Sequence, residues 1–258
     1  MPFTLAHPAA VWPLKRIRAF AVIPLVVGSL TPDLASYLPN AHALINSHSV
    51  RGTVMLDLPL GYVLLLLLVG LRSMMVTPLW QPHRRFISDA FSKYASTSWW
   101  WLLAVPSLLV GSWTHIVWDS FTHENHFMVR RLPILRQTMS IDGDHPVYLY
   151  RILQYGCSLL GMALVIWWYV HALRSSTATT RTDASGKSRM YWIIFMAAAA
   201  LITGLVNALF IPPEWRSVYG FISVILTTAM PVFAGAYLLT AVVLWQHEHR
   251  QAVSDGSR

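Results

Sequence analysis

Long apolar stretches constrain the fold of this chain more than any other feature. A membrane-spanning helix needs about 20 consecutive, mostly apolar residues. Stretches that approach or exceed this length cover residues 54–71, 99–118, 152–173, 190–211 and 218–245. They predict an all-α protein, a polytopic transmembrane helical bundle of about five or six spans.

The composition agrees with a membrane protein. Charged residues make up 12% of the chain and hydrophobic residues 55%, whereas a soluble domain carries about 25% charged residues. The net charge of +8 would suggest nucleic acid as a partner of a soluble protein, but here anionic headgroups of membrane lipids explain it and no nucleic acid is expected. Cys157 is the only cysteine, which excludes an intrachain disulfide and a cysteine-based zinc cluster.

The N-terminal region has two interpretations. If residues 8–30 form one spanning helix, His7 and Asp33 are about 39 Å apart at 1.5 Å per residue and lie on opposite faces of the membrane. If the chain instead turns near Lys15–Arg18, assisted by Pro13, a helical hairpin returns Asp33 to the neighbourhood of His7. A metal site that contains both residues requires the hairpin.

Ionisable residues recur at a spacing of four in the segment THIVWDSFTH, which begins at Thr114. His115 and Asp119 share one helical face, as the two histidines of the helical H-E-x-x-H motif do. His123 is about 12 Å along the axis from His115, too far for both to bind one ion directly. We therefore expect His115 and Asp119 to form a chelating pair and His123 to serve a second metal or proton transfer. Alternatively, Asp119 only fixes the tautomer of a histidine within the bundle.

Three further candidate ligands precede the first clear span. They are His7 in LAHPA, Asp33 in LTPDLASYL and His48 in NSHSVRG. Together with His115 and Asp119 they suffice for one metal site or a two-metal site. Nitrogen and carboxylate ligands without thiols suit zinc, manganese or iron, so we expect a divalent metal, with zinc first.

Two other acidic segments are weaker candidates. Asp57, inside the first apolar stretch, could orient a histidine or pair with an arginine. The segment SIDGDHPVYLY resembles a cation-binding loop but lacks the glutamate of an EF-hand. We interpret it as a turn that ends at Pro146.

The motif set resembles a known family. The segments MPFTLAHPAAVWPL, VVGSLTPDL, HSVRG, THIVWDSFTH and VYLYRILQYGCSLLG are similar to the bacterial membrane family catalogued as domain of unknown function 4184, over about residues 1–170. That family more distantly resembles LexA-regulated membrane-bound metal-dependent hydrolases and the helical zinc-dependent phospholipase C fold. The resemblance implies metal ligands at His7, Asp33, His48, His115 and Asp119, and a multi-pass protein of the bacterial inner membrane.

These features predict one integral membrane domain over residues 1–258. Residues 1–170 carry the metal site, residues 174–189 form a flexible loop, and residues 190–245 supply two further membrane helices. Because the ionisable residues cluster at one end of the bundle, they favour a site over a transport pathway.

The function favoured by the sequence is a membrane-embedded metal-dependent hydrolase of a phosphoester or lipid-linked substrate. Metal-activated water would attack the ester, and His123 or Glu124 would protonate the leaving group. Arg130 and Arg131 could hold phosphate. The alternatives are a non-enzymatic membrane protein with a structural or metal-binding His/Asp site, and a transport accessory.

Overall fold

The computed structural model describes residues 4–34, 46–95, 99–142, 145–176, 184–212 and 217–256. These residues are mainly helical, and five of their helices are long and apolar enough to cross a membrane. The prediction of an all-α transmembrane bundle is therefore confirmed. The helices are α1 Pro8–Val11, α2 Val22–Leu34, α3 Val50–Gly70, α4 Arg72–Val76, α5 His83–Ala95, α6 Trp99–Thr122, α7 Phe127–Arg131, α8 Leu149–Ser175, α9 Ala184–Ala208 and α10 Val218–Gly256. The candidate spans are α3, α6 with α7, α8, α9 and α10.

The chain divides into two compact units, each described here by itself. The described part of the first unit comprises residues 4–34, 46–66, 99–142 and 145–169, and that of the second comprises residues 67–95, 170–176, 184–212 and 217–256.

The N-terminal region of the first unit folds back on itself. A 3-10 turn at Thr4–Ala6, α1 and a second 3-10 turn at Trp12–Arg16 lead into α2. The Thr4 hydroxyl donates a hydrogen bond of 2.6 Å to Asp33 Oδ2, so the chain returns to its starting point within about 30 residues. The hairpin is thus correct and the single span over residues 8–30 is wrong. At 13 residues α2 is shorter than a span.

Helices α2 and α6 form the main packing contact of the first unit. A Cβ added to Gly28 would overlap the Leu108 carbonyl, and one added to Gly111 would overlap the Leu25 carbonyl, so the two backbones touch at these glycines. Hydroxyl groups also lie in this interface. The Ser112 hydroxyl donates a 3.1 Å hydrogen bond to the Gly28 carbonyl. Small and hydroxyl-bearing residues are typical of close helix contacts in membranes, where apolar burial between helices contributes little.

The segment after α7 contains strands that the sequence did not predict. Strands β1 Thr138–Asp142 and β2 His145–Tyr148 pair antiparallel, with Ile141 opposite Pro146 and Thr138 opposite Tyr148. The chain reverses between the paired residues Asp142 and His145, as the turn interpretation requires, and Pro146 follows this reversal within β2. A proline is tolerated here since a two-stranded sheet has only edge strands. Residues 143–144 lie outside the described residues.

The second unit is built around the antiparallel pair α9 and α10. Asn207 donates to the Thr228 hydroxyl at 2.9 Å near one end of the pair, and Arg189 donates to Glu248 at 2.8 Å near the other. Both helices extend beyond their apolar stretches. Helix α9 begins at Ala184, inside the predicted loop 174–189, and residues 177–183 of that loop lie outside the described part of the chain.

Candidate metal centre

The α2–α6 contact positions the first half of the site. The two helices run in the same direction, because Ala21 N–H donates to Ser107 Oγ at 2.9 Å and Asp33 meets His115 further along both helices. Asp33 lies one turn and a half beyond Gly28 on α2, and His115 lies about one turn beyond Gly111 on α6. The close glycine contact therefore fixes the distance between the carboxylate and the imidazole.

The second half of the site is the loop before α3. Ser49 caps this helix, because its hydroxyl accepts a 3.0 Å hydrogen bond from Gly52 N–H. The Asn46 side-chain oxygen accepts a 2.9 Å hydrogen bond from His48 N–H. These short-range bonds hold the loop that carries His48 over the end of α6.

Four predicted ligands meet at one point. Asp33, His48, His115 and Asp119 each offer one ligand atom, and these atoms all lie within 4.8 Å of one another. His115 Nε2 is 3.2 Å from Asp33 Oδ1 and 3.2 Å from Asp119 Oδ2. His48 Nε2 is 3.6 Å and 3.5 Å from the same two oxygens. Two ligands about 2.1 Å from a tetrahedral ion are themselves roughly 3.4 Å apart, so these separations match the edges of a metal-centred tetrahedron.

The outer nitrogens of both histidines are already bound by protein atoms. His115 Nδ1 lies 2.7 Å from the Ser29 carbonyl, which can only accept, so Nδ1 carries the proton and Nε2 presents its lone pair. His48 Nδ1 lies 3.1 Å from the Ser47 hydroxyl. Metal-binding histidines ordinarily have such a partner on the second nitrogen, because it fixes the tautomer and orients the ring.

The atoms that face the centre have no hydrogen-bond partner among the described residues. They are His48 Nε2, His115 Nε2, Asp33 Oδ1, Asp119 Oδ1 and Asp119 Oδ2. Both carboxylates are almost fully buried, with 2% of Asp33 and 1% of Asp119 exposed. Buried polar atoms without partners cost about 1–3 kcal/mol each, and more when charged. A divalent cation at the centre would satisfy them together, so the cluster could bind a metal ion.

The ionisation states of Asp33 and His7 are compatible with metal binding. Burial alone would raise the pKa of Asp33, but the imidazoles of His115 and His48 beside it hold that pKa below its usual range. Burial lowers the pKa of His7 to about 4, so this imidazole is neutral at physiological pH. An ionised carboxylate at Asp33 and a neutral imidazole at His7 are forms that can coordinate a metal.

His7 and His123 lie beside the cluster, on the other side of Asp119. His7 Nε2 is 3.6 Å from Asp119 Oδ1 and His123 Nδ1 is 3.3 Å from the same atom. The His7 ring stacks on His115, with the ring centroids 3.7 Å apart. All five predicted metal ligands are therefore brought together, although their role as ligands stays a prediction.

Of the two predicted proton donors, His123 and Glu124, only one lies in the site, and the two predicted phosphate ligands are exposed to solvent. His123 is part of the site, whereas the Glu124 side chain is 63% exposed and lies 3.9 Å from Arg151. Arg130 and Arg131 are exposed at the end of α7. Asp57 is fully buried, and its two oxygens have no hydrogen-bond partner within the described ranges.

Several residues of the site carried no signal in the sequence. Thr4 binds Asp33, the Ser29 carbonyl binds His115, and the Gln154 side-chain nitrogen lies 2.9 Å from His123 Nε2. The centroid of the His126 ring lies 5.2 Å from that of the His48 ring.

Two cavities adjoin the cluster. A cleft of about 410 Å³ is lined by Asn46, His48, Ile116, Ser120, His123, Asn125, His126 and Phe127. A groove of about 520 Å³ runs between α1, α6 and α8, and its lining is Ala10, Val110, Trp113, Thr114, Val117, Trp118, Phe121, Thr122, Leu153 and Cys157. Thr122 connects the two, because its hydroxyl lies 3.1 Å from His123 Nδ1.

A comparison with protein-family models identifies the family. The model described as Domain of unknown function (DUF4184) matches residues 1–245. The chain belongs to this family. The DUF4184 match includes every residue of the cluster and extends beyond residues 1–170, where the sequence resemblance was seen, to cover α9 and most of α10. No curated protein and no solved structure matches the chain.

Proposed function

We propose that this protein is a membrane-embedded, metal-dependent hydrolase of a phosphoester, with a lipid or lipid-linked molecule as its substrate. The observation that carries the proposal is the convergence of Asp33, His48, His115 and Asp119 within 4.8 Å, directly beside a polar cleft. A metal bound by such ligands supplies an activated water and polarises a phosphoryl oxygen. Zinc fits the donor set best, and manganese or iron are the next candidates.

The residues around the metal have separable tasks in this proposal. The Ser29 carbonyl and the Ser47 hydroxyl orient His115 and His48. His123, which lines the cleft, is positioned to exchange a proton with a bound ester. Glu124 remains a second candidate for protonating the leaving group, although its exposure places it further from the buried cluster.

The apolar groove supports a lipid-like substrate. Its exposed lining is entirely apolar, and it ends at Thr122, next to His123. An acyl or isoprenoid chain in the groove would bring its headgroup phosphate to the cleft. The site would then act on lipids of the membrane in which the protein resides, for which we propose the bacterial inner membrane.

The test compares turnover with metal content. Protein purified in detergent is assayed against a soluble phosphodiester, a phosphomonoester and phospholipid vesicles, before and after chelation and after addition of Zn²⁺ or Mn²⁺. We expect metal-dependent hydrolysis of at least one substrate class, and its loss in Asp119→Asn. The matched control is Asp89→Asn, which changes an exposed carboxylate on α5 whose side chain is 67% exposed.

One observation favours a second function, a structural metal site. Four protein ligands around one ion leave no position for water, and closed four-ligand sites are typical of structural zinc. Metal that stabilises the fold without turnover on any substrate would support this alternative and contradict the hydrolase.

A further inference from the structure

The two oxygens of Asp119 face different sets of histidines. Oδ2 belongs to the four-ligand cluster, 3.2 Å from His115 Nε2 and 3.5 Å from His48 Nε2. Oδ1 points the other way, 3.3 Å from His123 Nδ1 and 3.6 Å from His7 Nε2. Both oxygens are buried and have no hydrogen-bond partner in the described part of the chain.

We propose that Asp119 bridges two metal ions, the first held by Asp33, His48, His115 and Asp119 Oδ2, and the second by His7, His123 and Asp119 Oδ1. The distances from Oδ1 to both imidazole nitrogens are close to the roughly 3.4 Å edge of a tetrahedral site. Ions bridged by one carboxylate lie about 3.5–4 Å apart in two-metal hydrolases. The second site builds on the proposed metal-dependent function and deepens it.

The second site differs from the first in its open coordination. It has three protein ligands instead of four, as catalytic zinc sites do. His123 lines the polar cleft and is 19% exposed. In the first site His48 lines the same cleft and is 12% exposed, whereas His115 is fully buried. The second ion would therefore be the one that meets water and substrate, and the first would fix the shared carboxylate. This division explains how a closed four-ligand site and a hydrolytic function coexist.

The surroundings of His123 are consistent with a ligand. Its Nε2 lies 2.9 Å from the Gln154 amide, and a glutamine side chain can donate or accept there depending on which way its amide is turned. With the amide oxygen facing Nε2, that nitrogen carries the proton and Nδ1 presents its lone pair to the ion. The Thr122 hydroxyl, 3.1 Å from Nδ1, then donates its proton to the Trp118 carbonyl at 3.4 Å. Without a second ion, His123 Nδ1 would instead donate a proton to Asp119, and His123 would exchange protons with the bound ester instead of binding metal.

Metal stoichiometry separates these two roles without any assay of activity. Detergent-purified protein is stripped, titrated with Zn²⁺ or Mn²⁺ and analysed for bound metal, and the manganese form is examined by electron paramagnetic resonance. We expect two ions per chain and a spin-coupled manganese signal. His7→Ala and His123→Ala should each retain one ion with an uncoupled signal. His247→Ala, which changes an exposed histidine on α10 in the second unit, should retain two.

A positioning variant gives a second readout. Gln154→Leu should weaken the second ion by about 10–100-fold, the usual effect of losing the partner of a ligand histidine, and leave the first unchanged. Three results would overturn the proposal. The wild type could saturate at one ion, or His7→Ala and His123→Ala could both retain two ions. The third result is that both variants stay folded but lose all metal. A two-ion protein with no turnover would overturn only the hydrolase.

Discussion

His115 Nε2 lies 3.2 Å from Asp119 Oδ2, one turn away on the same helix, and both side chains are almost fully buried. The pair is incomplete without residues from elsewhere, because Asp33 approaches His115 from α2 at 3.2 Å. The cluster therefore joins helices that are distant in the sequence.

Removal of the metal should destabilise the protein. A ligand present at 1,000 times its dissociation constant stabilises the native state by about 4 kcal/mol. We expect a chelator to lower the midpoint of thermal unfolding of the wild type, with recovery on addition of Zn²⁺. His115→Ala should lower the midpoint and respond less to the chelator than the wild type does, because the ion of the four-ligand cluster is lost. His247→Ala, an exposed histidine on α10, should behave as wild type. A chelator response in His115→Ala as large as that of the wild type would refute the four-ligand site.

Thr4 should act on metal affinity through Asp33. Its hydroxyl donates to Asp33 Oδ2, which leaves Oδ1 directed at the centre. Thr4→Val keeps the shape and removes the donor, so metal affinity should fall by about 10–100-fold, as measured by competition with a chromogenic chelator. Thr4→Ser should restore it. The control is Thr203→Val on the exposed face of α9, where no change is expected.

The glycine contact between α2 and α6 should control both stability and the site. Gly28→Ala and Gly111→Ala force a methyl group against the backbone of the partner helix, and overpacking of this kind costs about 1–3 kcal/mol. Because the contact sets the distance from Asp33 to His115, metal affinity should fall as well. At Gly156 an added Cβ meets nothing within 4 Å, so Gly156→Ala should be neutral or slightly stabilising. Unfolding in denaturant and metal titration measure the two effects, and equal behaviour of the three variants would contradict the packing argument.

Blocking the apolar groove should affect lipid substrates selectively. Val117→Trp fills part of the groove beside Thr122, so we expect the KM for a long-chain phospholipid to rise, about tenfold for a loss of 1.4 kcal/mol of binding. Hydrolysis of a short water-soluble phosphodiester and the metal content should stay as in wild type. Val243→Trp makes the same change in an apolar groove of the second unit and serves as the control. Parallel loss on both substrates would argue against the groove as the chain-binding site.

An ion-pair network should stabilise the second unit independently of the metal. Glu248 receives two hydrogen bonds from Arg84, at 3.1 and 2.8 Å, and one from Arg189 at 2.8 Å. Since the three side chains are partly exposed, we expect Glu248→Gln to cost about 1 kcal/mol with unchanged metal stoichiometry. Asp89→Asn breaks a more exposed pair, 3.9 Å from Arg85, and should cost close to nothing. Loss of metal from Glu248→Gln would show that the second unit influences the site.

The helix ends show where sequence patterns fail. The predicted span 218–245 follows the apolar residues, but α10 continues to Gly256, because a helix does not have to end where it leaves the apolar region. This polar extension carries Glu248. The strands β1 and β2 were also not predicted. Pro146 argued against a strand, but a proline can lie within a strand at the edge of a sheet.

The amino-acid sequence alone was sufficient for the bundle and for the His115–Asp119 pair, because these follow from local periodicity and from the helical rise per residue. For the N-terminus it left a single span and a hairpin both open, and the contact of Thr4 with Asp33 decided between them. It could not supply Thr4, Ser29, Ser47 or Gln154 as partners of the ligands, since such bonds depend on which helices touch. Nor could it divide the ligands between the two oxygens of Asp119. That division depends on the direction in which a single buried carboxylate points, and the direction is set by the packing of α1, α2, α6 and the loop before α3.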